Sequence, residues 1–355
     1  MGITAKEIAK MLKVSPSAVS LALNGKPGVS DATRELIINA AKKYDYTVRN
    51  SLNSPEPARN ISYVIYVSEG LVVNEIAFHS IVFQGVEAKA KKLGYNVLVS
   101  YLYSKQDEER QMNALFQNTM GVILLGTEFE ESSSWLVLNN NHDQNPTIPL
   151  VFVDNMTFYM DVDCVCTDNL RGAYKAIKYL ISQDHRKIGY FSSAQRIVNF
   201  DERRAGVERA LSEHPDVMHT VVPVRFSSEN AFQDICQWLE KGCDLPTAFF
   251  ADSDMIAFGA IRAFQQYGYR IPEDISIIGF DDMPACSIVN PPLTTIRVDK
   301  ELMGSTAMEI LHRRITEQNS PLSPSSECDS VFRTRISTSV KVRESVGIPA
   351  NYSDR

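Results

Sequence analysis

The feature that most constrains the fold of this chain is the alternation of short apolar runs with amphipathic runs from residue 61 onward. The apolar runs are ISYVIYV, NVLVSYL, GVILLG and PLVFVD and, after the helical run LRGAYKAIKYLISQDH, KIGYFSS, VVPVRF, TAFFAD and SIIGFDD. Short β-rich runs that alternate with helices indicate parallel sheets of the doubly wound kind. The sequence therefore predicts an α/β body over residues 61–345, built from two doubly wound parallel-sheet subdomains.

The two series of strands predict two similar halves within this body. We expect an N-subdomain of about 61–166 plus 296–320 and a C-subdomain of about 167–290 plus 321–345. In open α/β sheets, ligands bind outside the carboxyl ends of the strands. The predicted ligand site is therefore the cleft between the two subdomains.

Residues 1–46 have a different pattern, that of three short helices. The first opens at Thr4 in the sequence TAKE, which is the pattern of a capping box. The second opens at Ser15 with Pro16 in the first helical position, where a missing N–H costs nothing. The third opens at Ser30. Because only two residues separate the first helix from the cap of the second, the spacing predicts a helix-turn-helix unit.

A helix-turn-helix unit places the N-terminal residues of its second helix in the major groove of DNA. Pro16, Ser17 and Leu21 lie on the side of that helix away from the apolar residues Val19 and Leu23. Short polar groups at helix ends also suit phosphate oxygens. The alternative is a small helical subdomain whose caps only end helices. The residues expected to contact DNA are Thr4, Ser15, Pro16, Ser17, Ser20, Leu21, Asn24, Ser30 and Thr33.

The distribution of charge favours the DNA-binding interpretation. The whole chain has a net charge of −7, which argues against a protein that coats nucleic acid over its entire surface. Residues 1–50 nevertheless hold eight basic and four acidic side chains, a net charge of +4. A basic module on an acidic body is the charge asymmetry expected when that module binds the phosphates of nucleic acid.

The stretch ITAKEIAKMLKVSPSAVSLALNGKPGVSDATRELIINAAKKYDY closely resembles the DNA-binding head of LacI/GalR-type bacterial transcription regulators. The elements AKxxxVS, AVSxxLN, VSxxTR and the closing tyrosine all keep their spacing. Members usually carry TVSR where this chain has AVSL, ending at Leu21. An arginine there could read guanine, whereas Leu21 could pack only on a thymine methyl. The operator sequence therefore cannot be transferred from a relative.

Residues 47–60 read TVRNSLNSPEPARN, and their Pro, Ser and Asn content predicts a linker. In the LacI/GalR family this region ends in a hinge helix, and two such helices pair in the minor groove and insert a leucine between base steps. Leu52 is the candidate for that wedge. Pro55 and Pro57 would interrupt a hinge helix, and Val48 replaces the usual proline. A hinge helix and a plain tether are therefore equal alternatives.

The body, from residue 61 to about 315, resembles the LacI/GalR effector domain, which has a periplasmic-binding-protein-like fold. The resemblance is carried by VDCVCTDNLRGAYKAIKYLI, RRAGVERAL, RIPEDISIIGFDDMPACS and NPPLTTIRVD. It implies an effector cleft lined by Phe78, Asp154, Arg196, Asn199, Arg203, Ser253 and Asp281. Two carboxylates and a guanidinium can form hydrogen bonds with adjacent hydroxyls of a ligand. Phe78, expected in the loop after the first strand, could stack on an apolar sugar face. Ser253 offers fewer hydrogen bonds than the usual Asn, which allows a ligand other than a typical hexose.

Other functional classes find little support in the sequence. No GxxxxGK[ST], HExxH or GxSxG motif occurs, and the histidines and cysteines lack metal-site spacing. We therefore expect neither an enzyme nor a bound cofactor or metal. No apolar run approaches ~18 residues, so no membrane span is expected. The start MGITAKEIAK lacks the apolar region of a secretory signal, and the expected location is the cytoplasm.

Together these patterns predict a homodimeric, ligand-responsive transcription regulator, expected to act as a repressor. Its predicted partners are an operator in double-stranded DNA, a second copy of the chain and a small-molecule effector, expected to be a carbohydrate. The two heads would contact half-sites about one helical turn apart. The alternative is an intracellular sugar-binding receptor without functional DNA binding. No leucine heptad follows residue 340, so no tetramerisation helix is expected.

Overall fold

The structure, a computed structural model, divides into two compact units between Ala58 and Arg59, called here the head and the body. The predicted DNA contacts Asn24 and Leu52 lie outside the residues that the structure describes. Residues 47–58 of the linker, predicted to form either a hinge helix or a plain tether, lie outside them too. Within the described part of the chain, no helix is long and apolar enough to cross a membrane. The described residues are 4–23, 28–44, 59–70, 76–104, 106–116, 119–129, 148–157, 160–242, 244–318 and 330–349.

The head contains the predicted helices, α1 (Ala5–Leu12), α2 (Pro16–Leu23) and α3 (Asp31–Lys43). The capping box at the start of α1 is confirmed, because Thr4 Oγ1 accepts from the N–H of Glu7 at 3.3 Å and Glu7 Oε2 accepts from the N–H of Thr4 at 2.7 Å. These bonds satisfy two of the backbone donors that a helix start leaves open.

Two further contacts shape the helix-turn-helix unit. Ser15 Oγ accepts from the N–H of Ala18 at 3.0 Å, which caps α2. Arg34 Nη1 on α3 donates to the carbonyl of Ala22 at 3.1 Å, at the opposite end of α2. The core between the helices is formed by Ile8, Ala9, Val19, Ala22, Ile37, Ala40 and Ala41.

The body consists of two lobes, each built on a six-stranded sheet with helices on both faces, which confirms the predicted fold class. The first sheet is entirely parallel and has the strand order β11-β5-β4-β3-β1-β2. Its strands are β1 (Asn60–Val67), β2 (Asn96–Tyr103), β3 (Val122–Leu125), β4 (Leu150–Val153), β5 (Asp163–Thr167) and β11 (Arg333–Ile336). Its helices are α4 (Ile76–Lys92), α5 (Glu108–Phe116) and α10 (Lys300–Gln318).

The second sheet has the order β12-β10-β9-β8-β6-β7 and is parallel except for β12, which runs antiparallel to β10. Its strands are β6 (Lys187–Ser193), β7 (Met218–Val224), β8 (Ala248–Ala251), β9 (Ser276–Asp281), β10 (Thr294–Arg297) and β12 (Ser339–Lys341). One face packs against α6 (Asn169–Ser182) and α7 (Val198–Ser212). The other packs against α8 (Ser228–Glu240) and α9 (Asp254–Gln266).

The strand pairing moves two of the predicted subdomain boundaries. β10 belongs to the second sheet, so the first lobe resumes at α10 rather than at residue 296. The segment 321–345, assigned from sequence to the C-subdomain, is divided, because β11 pairs with β5 of the first sheet and β12 with β10 of the second. The four residues of β11 carry no local signal for one sheet or the other, since pairing between distant segments is decided by the assembled fold.

Candidate functional site

A cavity with about 480 Å³ of space, part of which is open solvent, lies between the two lobes at the carboxyl ends of the strands. Parallel sheets leave their ligand sites at this edge because the loops that follow the strands converge there. The structure brings six of the seven predicted effector residues to its wall, namely Phe78, Asp154, Asn199, Arg203, Ser253 and Asp281. The two lobes therefore contribute to one shared cleft.

Asp154 is the acidic group that the first lobe supplies. It follows β4 directly, has a left-handed backbone (φ 63°) and is buried. Its Oδ2 accepts a hydrogen bond from the hydroxyl of Thr127 at 2.7 Å. Burial raises the pKa of Asp154 to about 6, although the Thr127 hydrogen bond and the charge of Arg203 act in the opposite direction. Near neutral pH, this carboxyl group is mainly an acceptor for ligand hydroxyls.

Arg203 on α7 is held rigidly by the residues around it. Its Nε donates to Asn169 Oδ1 at 2.9 Å, and one Nη nitrogen donates to the carbonyl of Asp252. The other Nη nitrogen donates to Asp281 Oδ1 at 3.1 Å. The guanidinium carbon lies 3.7 Å from the centre of the Phe280 ring. Because the side chain is buried and fixed on all sides, it presents donors to the cleft with little entropic cost.

Asp281 is the acidic group that the second lobe supplies. It ends β9 with φ 116°, and the ammonium of Lys300 donates to its carbonyl and, at 3.2 Å, to that of Asp282. Burial raises the pKa of Asp281, while the charges of Arg203 and Lys300 act to lower it. Among the described residues, no hydrogen bond reaches its Oδ2, so that oxygen is available to a ligand.

A chain of side-chain hydrogen bonds connects these groups across the lobes. Asn199 Nδ2 donates to the carbonyl of Asp154 at 3.2 Å, and Asn169 Nδ2 donates to Asn199 Oδ1 at 3.1 Å. Asn169 also accepts from Arg203. Asn169 was not predicted from the sequence. It opens α6 just where the chain passes from the first sheet to the second, and there it orients Arg203 in the cleft.

One predicted effector residue is misplaced. Arg196 does not line the cleft, since its side chain is 71% exposed and pairs with Asp201 at 3.2 Å. The chain turns outward just before α7, and the following residue, Ile197, takes the inward position. The prediction that Arg196 lines this cleft was therefore wrong.

Two other predicted residues take different local roles. Phe78 lies in the first turn of α4 rather than in a loop, with its ring centre 5.6 Å from Lys300 Nζ. Ser253 is the N-cap of α9, and its hydroxyl accepts from the N–H of Ile256 at 3.3 Å. Part of its hydrogen-bonding capacity is therefore already used by the helix.

The cleft also contains residues that sequence reasoning missed. Most of them follow the carboxyl ends of strands by one to four residues, as Thr127 follows β3 and Phe226 follows β7. Phe200 shares one face of α7 with Asn199 and Arg203. The strand-end rule and the helical period could have identified several of them. The residues missed are His79, Thr127, Ile197, Phe200, Phe226, Met255 and Met283.

The neighbouring acidic residue Asp254 stabilises a loop. Its Oδ2 accepts from the N–H of Met283 at 2.8 Å, and its Oδ1 accepts from the hydroxyl of Thr295 at 2.5 Å. Burial raises the pKa of Asp254 to about 7. A Cβ at Gly279 would lie 2.3 Å from Asp254 Oδ1, so only glycine leaves room for this arrangement. Within the described residues, no cluster of three or more His, Cys, Asp or Glu could hold a metal ion.

In the head, the first turn of α2 is exposed to solvent. Pro16 and Ser17 are exposed, whereas Val19 and Ala22 on the opposite side are buried. Among the other predicted DNA contacts in the described part of the head, Leu21 and Thr33 are partly exposed. The exposed ones are Thr4, Ser15, Ser20 and Ser30. A free helix end on a small helical unit is the geometry that enters a DNA groove.

Known families match both units. The description "Bacterial regulatory proteins, lacI family" matches residues 4–48, and "Periplasmic binding protein-like domain" matches residues 177–346. The ribose operon repressor of Haemophilus influenzae is 31% identical over 324 residues, which cover 89% of this chain and 93% of that protein. The HTH-type transcriptional repressor PurR of H. influenzae strain PittEE is 30% identical over 347 residues, which cover 95% and 98%.

Solved structures share the fold. The transcriptional regulator CelR in its cellobiose complex has a TM-score of 0.67 at 24% identity, covering 97% of this chain and 99% of that one. The lac repressor dimer bound to operator and the anti-inducer ONPF has a TM-score of 0.67 at 22% identity, covering 98% and 100%.

The helix-turn-helix head and the two-lobed ligand-binding body define a DNA-binding transcription regulator rather than an enzyme. The chain belongs to the lacI family of bacterial regulatory proteins. It is a DNA-binding repressor with a ligand-binding domain, as the sequence predicted.

Proposed function

We propose that the operator affinity of this repressor is controlled by a carbohydrate or carbohydrate derivative bound in the cleft. The observation that carries the proposal is the placement of Asp154 and Asp281, one from each lobe, around the fixed guanidinium of Arg203. Carboxylates accept hydrogen bonds from hydroxyls and the guanidinium donates, so the three groups together match adjacent hydroxyls of a sugar. The similarity to a ribose operon repressor supports the same class.

The apolar part of the wall supports a ring-shaped ligand. Phe78, Phe200 and Phe226 contribute aromatic rings, and Met255 and Met283 contribute adaptable side chains. The C–H face of a sugar packs well on such rings. A planar nitrogen heterocycle would also stack there and bond to the carboxylates, so purine bases form the second class to be tested.

The ligand test is a thermal-shift screen of pentoses, hexoses, sugar acids and purine bases, followed by operator titration with any hit. A sugar at 100 times its Kd should stabilise the protein by about 2.7 kcal/mol. Asp281→Ala should lose this stabilisation and keep its DNA affinity, whereas Asp201→Ala, outside the cleft, should retain both. Stabilisation by a purine base alone would overturn the carbohydrate class. An unchanged sugar response in Asp281→Ala would remove Asp281 from the site.

We also propose that the protein acts as a homodimer. Edge strand β2 exposes apolar side chains that a monomer would be expected to cover. These are Leu98, Val99, Tyr101 and Tyr103, each at least 40% exposed. Two copies would bring two heads to the half-sites of an operator, and closing the cleft would change how the first lobes meet.

Tyr101→Glu tests the dimer. Tyr101 is 54% exposed, so the substitution should leave the fold intact, while a charge in an apolar interface should separate the subunits. We expect sedimentation at twice the chain mass of 39.8 kDa for the parent protein and at the single mass for the variant. Met218→Glu, on the edge strand of the other lobe and 64% exposed, is the matched control and should stay dimeric. A dimeric Tyr101→Glu would place the interface elsewhere.

A further inference from the structure

A second cavity lies in the second lobe, between α7 and edge strand β7. It contains about 1320 Å³ of space, part of which is open solvent, and shares no lining residue with the effector cleft. We call it the α7–β7 groove. Its apolar surface includes Val207 and Leu211 from α7, Val221 and Pro223 from β7, and Val217 just before that strand. Nothing in the proposed repressor mechanism uses this groove.

Arg204 is a partly buried arginine in the wall of the groove, and not all of its guanidinium N–H groups have a hydrogen-bond partner. One Nη nitrogen donates to Ser192 Oγ at 3.1 Å, while Nε is shielded from solvent and has no hydrogen-bond partner. No carboxylate of the described residues forms an ion pair with its guanidinium. A partly buried guanidinium with an unsatisfied N–H and no directly paired carboxylate is unfavourable by itself. Ser192 therefore holds one Nη nitrogen in place, and the remaining Nη hydrogens are the donors that an anion in the groove could accept.

The buried acid Asp252 interacts with Arg204 through its charge but forms no hydrogen bond with it. Asp252 accepts from the hydroxyl of Tyr190 at 2.6 Å and from the N–H of Ser193 at 2.7 Å, so both of its oxygens are engaged. Burial raises the pKa of Asp252 to about 6, against the lowering effects of Tyr190 and Ser193 and of the charges of Arg203 and Arg204.

The other charges around the groove also favour an anion. Arg196 lines it as well, with an exposed ion pair to Asp201 that water weakens, so this guanidinium can turn to a ligand. His214 and His219 also line the groove, and His214 Nε2 accepts a hydrogen bond from the ammonium of Lys178 at 2.6 Å. The acidic residue among the lining side chains is Glu208, which is exposed. Two guanidiniums above an apolar floor match a ligand with a charged end and an apolar body.

We propose that the α7–β7 groove is a second ligand site, which takes a small organic phosphate. Its phosphate would bind Arg204 and Arg196, and its apolar part would cover Val207, Leu211 and Val221. The planar fork of an arginine pairs with two phosphate oxygens at once, which gives geometric specificity as well as attraction.

The test is calorimetric titration of the full chain with phenyl phosphate, with phenol as the uncharged comparison. We expect saturable binding of phenyl phosphate and binding of phenol at least about tenfold weaker. Arg204→Leu should weaken the binding of phenyl phosphate by at least about tenfold. Arg209→Leu, an exposed position on the same helix, should not change it. Absence of saturable binding, or equal binding to Arg204→Leu, would overturn the proposal.

Two further variants distinguish phosphate binding in the groove from phosphate binding in the effector cleft. Val221 is 50% exposed, so Val221→Glu should fold and repel the phosphate, whereas Val221→Lys should bind at least as well as the parent. Asp281→Ala removes a negative charge beside Arg203, so a phosphate bound in the effector cleft would bind this variant more tightly. Unchanged affinity in Asp281→Ala places the phosphate in the groove, while increased affinity overturns the proposal and leaves the proposed repressor function untouched.

Discussion

Replacing Ser17 with Glu is expected to lower operator affinity by about a hundredfold or more, because like charges brought together at an interface cost several kcal/mol. Ser17 is exposed in the first turn of α2. A carboxylate there would face the phosphates and base edges that we propose this turn contacts. The same charge interacts favourably with the positive end of the helix dipole. The thermal stability of the protein should therefore stay unchanged or rise slightly, while DNA binding is lost.

The opposite signs of these two effects make the experiment decisive. Operator affinity is measured by fluorescence anisotropy at several salt concentrations, and stability by thermal unfolding. Asn39→Glu, a position in the second half of α3, adds the same charge and should cost far less affinity. If Ser17→Glu bound its operator as tightly as the parent protein, α2 would not be the element that enters the groove.

Arg203→Leu is expected to lower the free energy of unfolding by about 3–5 kcal/mol, because it removes the ion-pair partner of the mostly buried carboxylate of Asp281 and leaves only the charge of Lys300 to offset it. It also removes the hydrogen bonds to Asn169 and to the carbonyl of Asp252. A sugar that stabilises the parent protein against thermal unfolding should therefore not stabilise this variant.

Urea unfolding and the thermal-shift screen measure the two effects separately. Arg209→Leu changes an exposed arginine on the same helix and should alter stability by less than about 1 kcal/mol. The double variant Arg203→Leu/Asp281→Asn should recover part of the lost stability, since it also removes the charge of Asp281. Equal losses for Arg203→Leu and Arg209→Leu would show that the buried ion pair has no special role.

Much of the local structure could be predicted from short stretches of sequence. The cap at Thr4 and the start of α2 at Ser15 depend on side chains within three or four residues of each helix end. The strands of the body could be recognised because residues buried on both faces of a sheet must be apolar. Asp154 and Asp281 could be proposed as cleft residues because each lies at the carboxyl end of such a strand.

The arrangement of neighbouring arginines could not be predicted in the same way. Arg203 and Arg204 are adjacent in sequence, but successive residues point about 100° apart around a helix. One guanidinium therefore reaches the cleft and the other the α7–β7 groove. Arg196, just before α7, was expected in the cleft and lies at the groove instead.

The amino-acid sequence by itself determined the helix-turn-helix head, the alternating strands and helices, and the family to which the chain belongs, since these depend on patterns between near neighbours. The tertiary structure decided that β11 joins the first sheet and β12 the second, that Asn169 fixes Arg203, and that Arg204 faces a separate groove. These features arise where segments distant in the chain meet, and the packing of the two sheets selects among contacts that no local pattern distinguishes.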